Sequence, residues 1–170
     1  RVLDRRKFLL GAVPVLMGAA REPATVMTAA DAHVDGYPTV QAVRWIGEQL
    51  DAHPDAPIFT SLPRSGSVRA ARLLAEIGDA RGRFPTRESL TCLAGVAPST
   101  RQSGKVKTVM FRWGADKQLR DALCDFAGDS RRANPWAAKI YNDAIARGKD
   151  HPHATRILAR AWLGVIWRCW

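Results

Sequence analysis

The chain has 170 residues, of which 46% are hydrophobic, so it is long and apolar enough for one ordinary domain plus an appendage, and global disorder is excluded. Its net charge of +10 favours polyanionic partners such as nucleic acid or an anionic membrane surface. Residues 1–50 contain six basic and five acidic residues, whereas residues 51–170 contain twenty and eleven. The excess positive charge, and with it the expected partner, belongs to the C-terminal part.

The three cysteines, Cys92, Cys124 and Cys169, are too widely spaced for a disulfide framework or a zinc site. Each lies in an apolar run, which predicts buried free thiols. No apolar stretch reaches the ~20 residues that a helix needs to span a bilayer. We therefore expect no membrane-spanning segment.

The first residues have the character of a targeting segment. Arg5-Arg6-Lys7-Phe8-Leu9 resembles the twin-arginine export signal, and an apolar run over residues 9–20 follows it. The alternative is an ordinary helix that begins with basic residues. If the signal works, the protein is periplasmic; if it is inert, the protein is cytoplasmic and associated with the nucleoid.

Residues 30–43, with the sequence ADAHVDGYPTVQAV, are similar to the start of mature solute receptors of TRAP-type transporters. Thr39 is placed to cap a helix that runs through Val43, Ile46 and Leu50. The resemblance ends after about twenty residues, so we expect no transport function. Prolines at positions 54 and 57 mark a linker, which predicts a disordered or loosely packed leader over residues 1–50 and a second domain over residues 51–170.

The second domain has the pattern of a mainly α fold. Ser67 is a candidate N-cap for a helix that ends at Gly78, and Thr86 is a candidate cap for the next helix. Residues 95–104 are predicted to be a loop. Three further helices are expected: one buries Leu119, Ala122, Leu123, Phe126 and Ala127; one opens at Asn134-Pro135 and buries Ala137, Ile140, Tyr141, Ala144 and Ile145; and the last buries Ile157, Leu158, Ala161, Trp162, Val165, Ile166 and Cys169.

Residues 62–78 contain a Gly-bearing turn before a helix. Such a turn exposes backbone N–H groups where the helix dipole favours phosphate. Arg64, Gly66, Arg69 and Arg72 are therefore candidate nucleic-acid contacts. The pattern resembles a helix-hairpin-helix motif, although Arg64 or Ser65 stands where a second glycine is usual. A capped amphipathic helix without a ligand is the alternative.

Residues 95–107 gather hydroxyls, glycine and cations within a few positions. Arg101, Lys105, Lys107 and Arg112 are candidate phosphate contacts, and cations near a serine favour its anionic, nucleophilic form. A solvated turn is the alternative. Trp113, next to Arg112, is the best candidate among the tryptophans for stacking on a base, whereas Trp162 is expected in the core.

The two segments occur in an order that resembles the C-terminal transposase domain of insertion-sequence family one-ten, with its relatives one-sixteen and nine-oh-two. The resemblance covers about 120 residues and runs through LPRSG (62–66), LLAEIGD (73–79), RFP (83–85), AGVAPSTRQSGK (94–105), RWG (112–114), NP (134–135) and LAR (158–160).

This resemblance implies a recombinase that moves a DNA element under the guidance of a structured RNA. It implies that the serine before glycine, Ser103, attacks the DNA backbone, with Ser99 as the second choice. In that family an N-terminal RuvC-like domain carries four acidic metal ligands, and no such framework is visible here. No cofactor is therefore expected in this chain, and Mg²⁺ would be needed only by the RuvC-like domain. DNA, a guide RNA and a second copy of the chain are the expected partners, and a non-catalytic helical nucleic-acid-binding module is the alternative function.

Overall fold

The computed structural model describes residues 38–170. The twin-arginine-like segment and the first part of the receptor-like segment lie outside these residues. Seven helices and one hairpin form the described part, which confirms the mainly α fold class. In chain order they are α1 (Pro38–Asp51), α2 (Ala56–Thr60), α3 (Gly66–Ile77), a 3₁₀ turn (Arg81–Arg83), α4 (Arg87–Leu93), β1 (Ser99–Ser103), β2 (Val106–Met110), α5 (Lys117–Ser130), α6 (Pro135–Ala146) and α7 (His151–Cys169).

The C-terminal helix α7 is the centre of the core, since α4, α5 and α6 all pack against it. The Trp162 ring lies edge-on to Phe126 at 5.3 Å, and its indole N–H donates to the Ser130 hydroxyl at 2.9 Å. Trp162 is therefore a core residue, as the sequence predicted. The five apolar side chains predicted to be buried on α5 are all buried, and so are Leu158, Leu163 and Ile166 of α7.

The buried stripes of α6 and α7 differ in part from the prediction. Ile145 is 41% exposed, because α6 lies at the edge of the bundle and buries only a narrow stripe, Ala137, Tyr141 and Ala144. On α7 the buried face includes Ala159 and Leu163, which lie outside the predicted stripe. Three residues of the predicted stripe, Ile157, Ala161 and Val165, are consequently only half-buried.

The cysteines are free thiols, but they are not all buried. Cys169 is exposed, because the last turn of α7 presents it to solvent. Cys92 and Cys124 are half-buried, and burial raises the pKa of the Cys124 thiol. The prediction of buried thiols was therefore wrong for Cys169.

Helix α1 belongs to the same packed unit as the helices that follow it. It lies against α3, and Leu50 at its end is fully buried in the common core. Thr39 lies inside this helix rather than at its cap. The proline-containing segment after α1 is a compact turn, in which the His53 ring accepts a hydrogen bond from the backbone N–H of Asp55 at 3.1 Å.

The turn between α2 and α3 is shorter than predicted, because α3 begins earlier in the sequence. The helix begins at Gly66 with Ser65 at its N-cap, so the prediction of Ser67 as the cap was wrong. Arg64 adopts φ 58°, a left-handed conformation that favours glycine. It occupies the position where a second glycine was expected. Gly78, with φ 80°, ends the helix as predicted.

Residues 99–110 form an antiparallel hairpin, so the prediction of a loop over residues 95–104 was wrong for its second half. Ser103 pairs with Val106, which leaves Gly104 and Lys105 as a two-residue turn. Gly104 has φ 56° and Lys105 has no positive φ, the combination of a type II′ turn. The caps at Thr86 and at Asn134-Pro135 are confirmed by their hydrogen bonds to Ser89 N and Ala137 N.

Within residues 38–170, no helix combines the length and the apolarity that a bilayer span requires.

The buried Asp55 carboxylate joins three distant segments, since it accepts hydrogen bonds from Arg81 and from the indole N–H of Trp170, the latter at 3.1 Å. Asp55→Ala should lower the free energy of unfolding by about 1–3 kcal/mol, because the buried indole N–H loses its acceptor. Urea denaturation measures the change. Asp51→Ala, an exposed carboxylate at the end of α1, is the control and should change stability little. Equal effects of the two substitutions would contradict the role of Asp55.

Candidate nucleic-acid interface

The hairpin places several predicted site residues side by side. Residues two apart on a strand share a face, so Ser99, Arg101 and Ser103 lie on one face of β1. Lys105 lies in the turn next to Ser103, whereas Lys107 faces the other side together with Gln102, its partner in the register. The tip of the hairpin therefore combines the predicted serine with two cations.

Every hairpin residue from Thr100 to Met110 is exposed. Apart from pairing with each other, β1 and β2 make no extensive contact with any described helix. Ser103 is therefore open to solvent, as a nucleophile that attacks a long DNA strand must be. Within residues 38–170, the Ser103 hydroxyl has no hydrogen bond to a carboxylate or an imidazole that could act as a general base.

A second group of predicted residues lies at the α2–α3 turn, where two aspartates of α5 hold the arginines. Arg64 Nε lies 3.0 Å from Asp129, and Arg69 lies 2.7 Å from Asp129 and 2.9 Å from Asp125. Arg69 also donates to the backbone carbonyl of Arg64 at 3.1 Å. These bonds fix the turn onto α5, so Arg64 and Arg69 have a structural function.

The same contacts change the protonation behaviour of the groups involved. The hydrogen bond from Arg64, followed by that from Arg69, holds the pKa of Asp129 below its ordinary value. The hydrogen bond to Asp125 contributes most to raising the pKa of Arg69. The charge of the arginines is thus partly balanced inside the protein, which the sequence did not reveal. Arg72, in contrast, is exposed and has no ion pair with a described residue.

Arg112 lies at the base of the hairpin beside a cluster of aromatic and guanidinium groups. Two guanidinium groups lie near the Phe111 ring, that of Arg120 at 5.2 Å and that of Arg156 at 5.3 Å from its centroid. The ring of Trp113 packs edge-on to Phe111 at 5.2 Å and is itself 77% exposed. An exposed indole next to fixed cations is suited to stacking on a nucleic-acid base.

Three surface depressions connect the base of the hairpin with the α2–α3 turn. The first lies between the hairpin and the first half of α7 and has a volume of about 380 Å³; we call it the hairpin-base cavity. It shares the lining residues Phe111 and Arg156 with the second depression. The second shares Cys124, His151 and Thr155 with the third, which reaches Arg69. Because neighbouring depressions share lining residues, we treat the three together and call them the basic groove.

The basic groove contains cations that the sequence did not single out. Arg120 lines its middle, and Arg131 and Arg132 line the end near Arg69. The sequence pattern does not indicate these three arginines, because their side chains come together only when α5 and α7 are packed against each other. Arg156 and Arg160 also line the groove. These two are different, because their spacing of one helical turn makes them candidates from the sequence for following a phosphate backbone, with a solvated helix face as the alternative.

The predicted residues are therefore collected in two places rather than on one face. Ser103, Arg101 and Lys105 meet at the hairpin tip, while Arg64, Gly66 and Arg69 meet at the α2–α3 turn. His151, on α7, is hydrogen-bonded to the Tyr141 hydroxyl at 2.7 Å. The described part of the chain gathers no set of three His, Cys, Asp or Glu side chains suited to a metal ion.

The bonds to Asp129 predict an acid dependence of stability. Its pKa in the folded protein lies below the ordinary value of 3.8, so its stabilising effect is complete above that value and is lost as the pH falls through the folded-state pKa. Asp129→Asn removes the ionised carboxylate. We expect the variant to show a shallower loss of stability on acidification below pH 4 than the unchanged protein, measured by urea denaturation at several pH values. Asp143→Asn, at an exposed pair on α6, is the control. Parallel pH profiles for the Asp129 variant and the unchanged protein would contradict the assignment.

Comparison with known proteins gives the chain a family. A profile of the transposase IS116/IS110/IS902 family matches residues 56–142, which include α2 to α5, the hairpin and most of α6. A 43.6 kDa protein of insertion element IS110 from Streptomyces coelicolor is 37% identical over 122 residues, 71% of this chain and 30% of that protein.

A protein of the mini-circle element IS117, also from Streptomyces coelicolor, is 37% identical over 117 residues, 69% of this chain and 28% of the relative. A 42 kDa protein of insertion element IS900 from Mycobacterium paratuberculosis is 32% identical over 123 residues, 72% of this chain and 31% of the relative. The matched region thus spans less than a third of the length of each of these relatives. Since the family profile covers half of the chain, the chain belongs to the IS116/IS110/IS902 family of transposases.

Proposed function

We propose that this chain is the DNA-handling part of an insertion-sequence transposase, and that it contacts DNA through the hairpin tip and the basic groove. The observation that carries the proposal is the exposed hairpin, which presents Ser103 between Arg101 and Lys105. The family of the chain supports DNA as the partner. Arg112, Lys107 and Arg72 are exposed or half-exposed cations that add to the attraction for phosphates.

The chemistry proposed for Ser103 is a transfer of the DNA phosphodiester to the serine. The hydroxyl oxygen forms a bond to phosphorus while one bridging P–O bond breaks. The DNA hydroxyl that leaves takes up a proton, which balances the one that the serine releases. Arg101 and Lys105 stabilise the negative charge that develops on the phosphoryl oxygens. Ser99 is the second choice, since it is on the same face of β1 but only half-exposed, at the end nearer the helices.

Complete transposition is expected to need more than the groups described here. The resemblance places the metal ligands in a RuvC-like domain, and the matched region spans less than a third of the relatives. We therefore propose that this chain alone binds DNA without sequence preference and does not transpose. A guide RNA and a second copy of the chain are further proposed partners. The action on DNA implies a location at the nucleoid, and export by the leader would remove the domain from its partner.

A non-catalytic nucleic-acid-binding module is the second candidate function. The absence of a general base bonded to Ser103 within residues 38–170 favours it. In that case the serine is only a residue before the turn, and the cations of the hairpin bind phosphate without any bond being broken.

A covalent-adduct experiment separates the two functions. The purified chain is incubated with supercoiled plasmid DNA, which presents many sequences, and protein that resists removal by detergent is measured on the DNA. We expect an adduct that Ser103→Ala abolishes. Thr100→Val removes a hydroxyl from the opposite face of the same strand and should leave the adduct unchanged. Loss with Ser99→Ala instead of Ser103→Ala would reassign the nucleophile, and no adduct at all would favour the non-catalytic module.

Salt dependence tests the contribution of the hairpin cations to DNA binding. If Lys105 and Lys107 each neutralise one phosphate, replacing both with alanine should lower the magnitude of the slope of log K against log salt by about 0.9 for each lysine. Fluorescence anisotropy with duplex DNA measures the slope. Lys139→Ala is the control, because this exposed lysine of α6 is paired with Asp143 at 2.9 Å. An unchanged slope in the double variant would place the phosphate contacts elsewhere.

A further inference from the structure

The hairpin-base cavity has an unusual set of charges among its described lining residues. Arg112, Arg156 and Arg160 line it together with His153, and no carboxylate does. Arg69, at the other end of the groove, has an aspartate beside it instead. Three guanidinium groups around one cavity repel one another, and an anion bound between them removes that repulsion.

The guanidinium groups in the cavity have unused hydrogen-bonding capacity. Arg112 Nε is shielded from solvent and has no hydrogen-bond partner among the described residues. A buried donor without a partner is costly, so a bound acceptor would stabilise this arrangement. Arg156 is held in place against the ring of Phe111. The pKa of Glu88 is lowered mainly by the hydrogen bond from Arg87 and only slightly by the charge of Arg160. Arg160 forms no ion pair with any described residue.

The remaining walls of the cavity are apolar. Val96, Pro98, Met110 and Ile157 provide surfaces for a flat ring. Gly95 forms part of the wall, and an added Cβ there would lie 2.5 Å from Cβ of Ala115, so only glycine allows this close approach. A volume of about 380 Å³ lies in the range of small-molecule sites. A nucleotide has both parts that this lining would bind, since its base is a flat ring for the apolar walls and its phosphate is an anion for the guanidinium groups.

The position of the cavity indicates how such a ligand arrives. The cavity lies at the base of the hairpin whose tip bears Arg101 and Lys105, and the exposed Trp113 follows Arg112 directly. A strand that follows these cations reaches the cavity. We propose that the hairpin-base cavity binds a single unpaired nucleotide of a DNA strand, with its phosphate on Arg112, Arg156 and Arg160 and its base against the apolar walls. This inference rests on the proposed function, since it takes nucleic acid as the ligand.

The test uses the full chain and a 5′-phosphorylated thymidine trinucleotide, with binding measured by titration calorimetry. Arg112→Ala and Arg156→Ala should each weaken binding by about tenfold, since a charge-assisted hydrogen bond is lost. Val109→Glu adds a carboxylate to the mouth of the cavity at a side chain that is 63% exposed, and it should weaken binding to a similar extent without disturbing the core. Thermal denaturation checks that each variant is folded.

Two matched controls lie away from the cavity and the hairpin. Arg147→Ala removes one positive charge from an exposed position after α6, and Val43→Glu adds one negative charge to α1 at a side chain that is 42% exposed. We expect each to change trinucleotide binding by less than about twofold. Equal effects of the controls and the cavity variants would show only a general charge effect and would overturn the inference.

The remaining outcomes separate this inference from the proposed function. Binding of long duplex DNA without binding of the trinucleotide would overturn the inference and leave the proposed function standing. Failure of both ligands to bind would overturn both. If a polyglutamate peptide binds as tightly as the trinucleotide and is equally sensitive to Arg112→Ala, the ligand is an acidic peptide. If inorganic phosphate alone binds as tightly, the apolar walls contribute nothing and a nucleotide is not the ligand.

Discussion

The burial of α7 is the constraint on which the other features depend. Because α4, α5 and α6 all pack against this helix, its position is fixed, and its first half faces the hairpin across the hairpin-base cavity. Arg156 and Arg160 lie on the part of α7 that remains at the surface, and they line the cavity beside Arg112. The apolar contacts of Trp162 and Leu158 therefore determine where the cations of the groove lie, although these two side chains are buried in the core.

Charge is distributed differently at the two ends of the basic groove. Near the α2–α3 turn, Asp125 and Asp129 balance the arginines and hold α3 on α5. Near the hairpin, the charged side chains among the described lining residues of the cavity are all arginines. Phosphate must compete with carboxylates at the first end but not at the second. We therefore expect anions to bind more strongly at the hairpin end than at the α2–α3 turn.

The sequence predicted the features that depend on local residue types. The mainly α fold, the caps at Thr86 and Asn134, and the buried face of α5 follow from short-range patterns, and the structure confirms them. The hairpin was missed because its strands are exposed on both faces and lack the alternation of apolar and polar residues that marks a half-buried strand. The groove was missed because it depends on side chains from separate helices. The predicted catalytic role of Ser103 stays a prediction.

The hairpin also has two open edges, since β1 and β2 are the entire sheet of the described residues. Unpaired N–H and C=O groups along both outer edges are a template on which another strand can be laid. The positive charges of Arg101, Lys105 and Lys107 make the same hairpin of another molecule a poor choice, because like charges would be brought together. We therefore expect the charge to disfavour pairing between two copies of the hairpin, whereas a strand rich in acidic residues would meet no such repulsion at either edge.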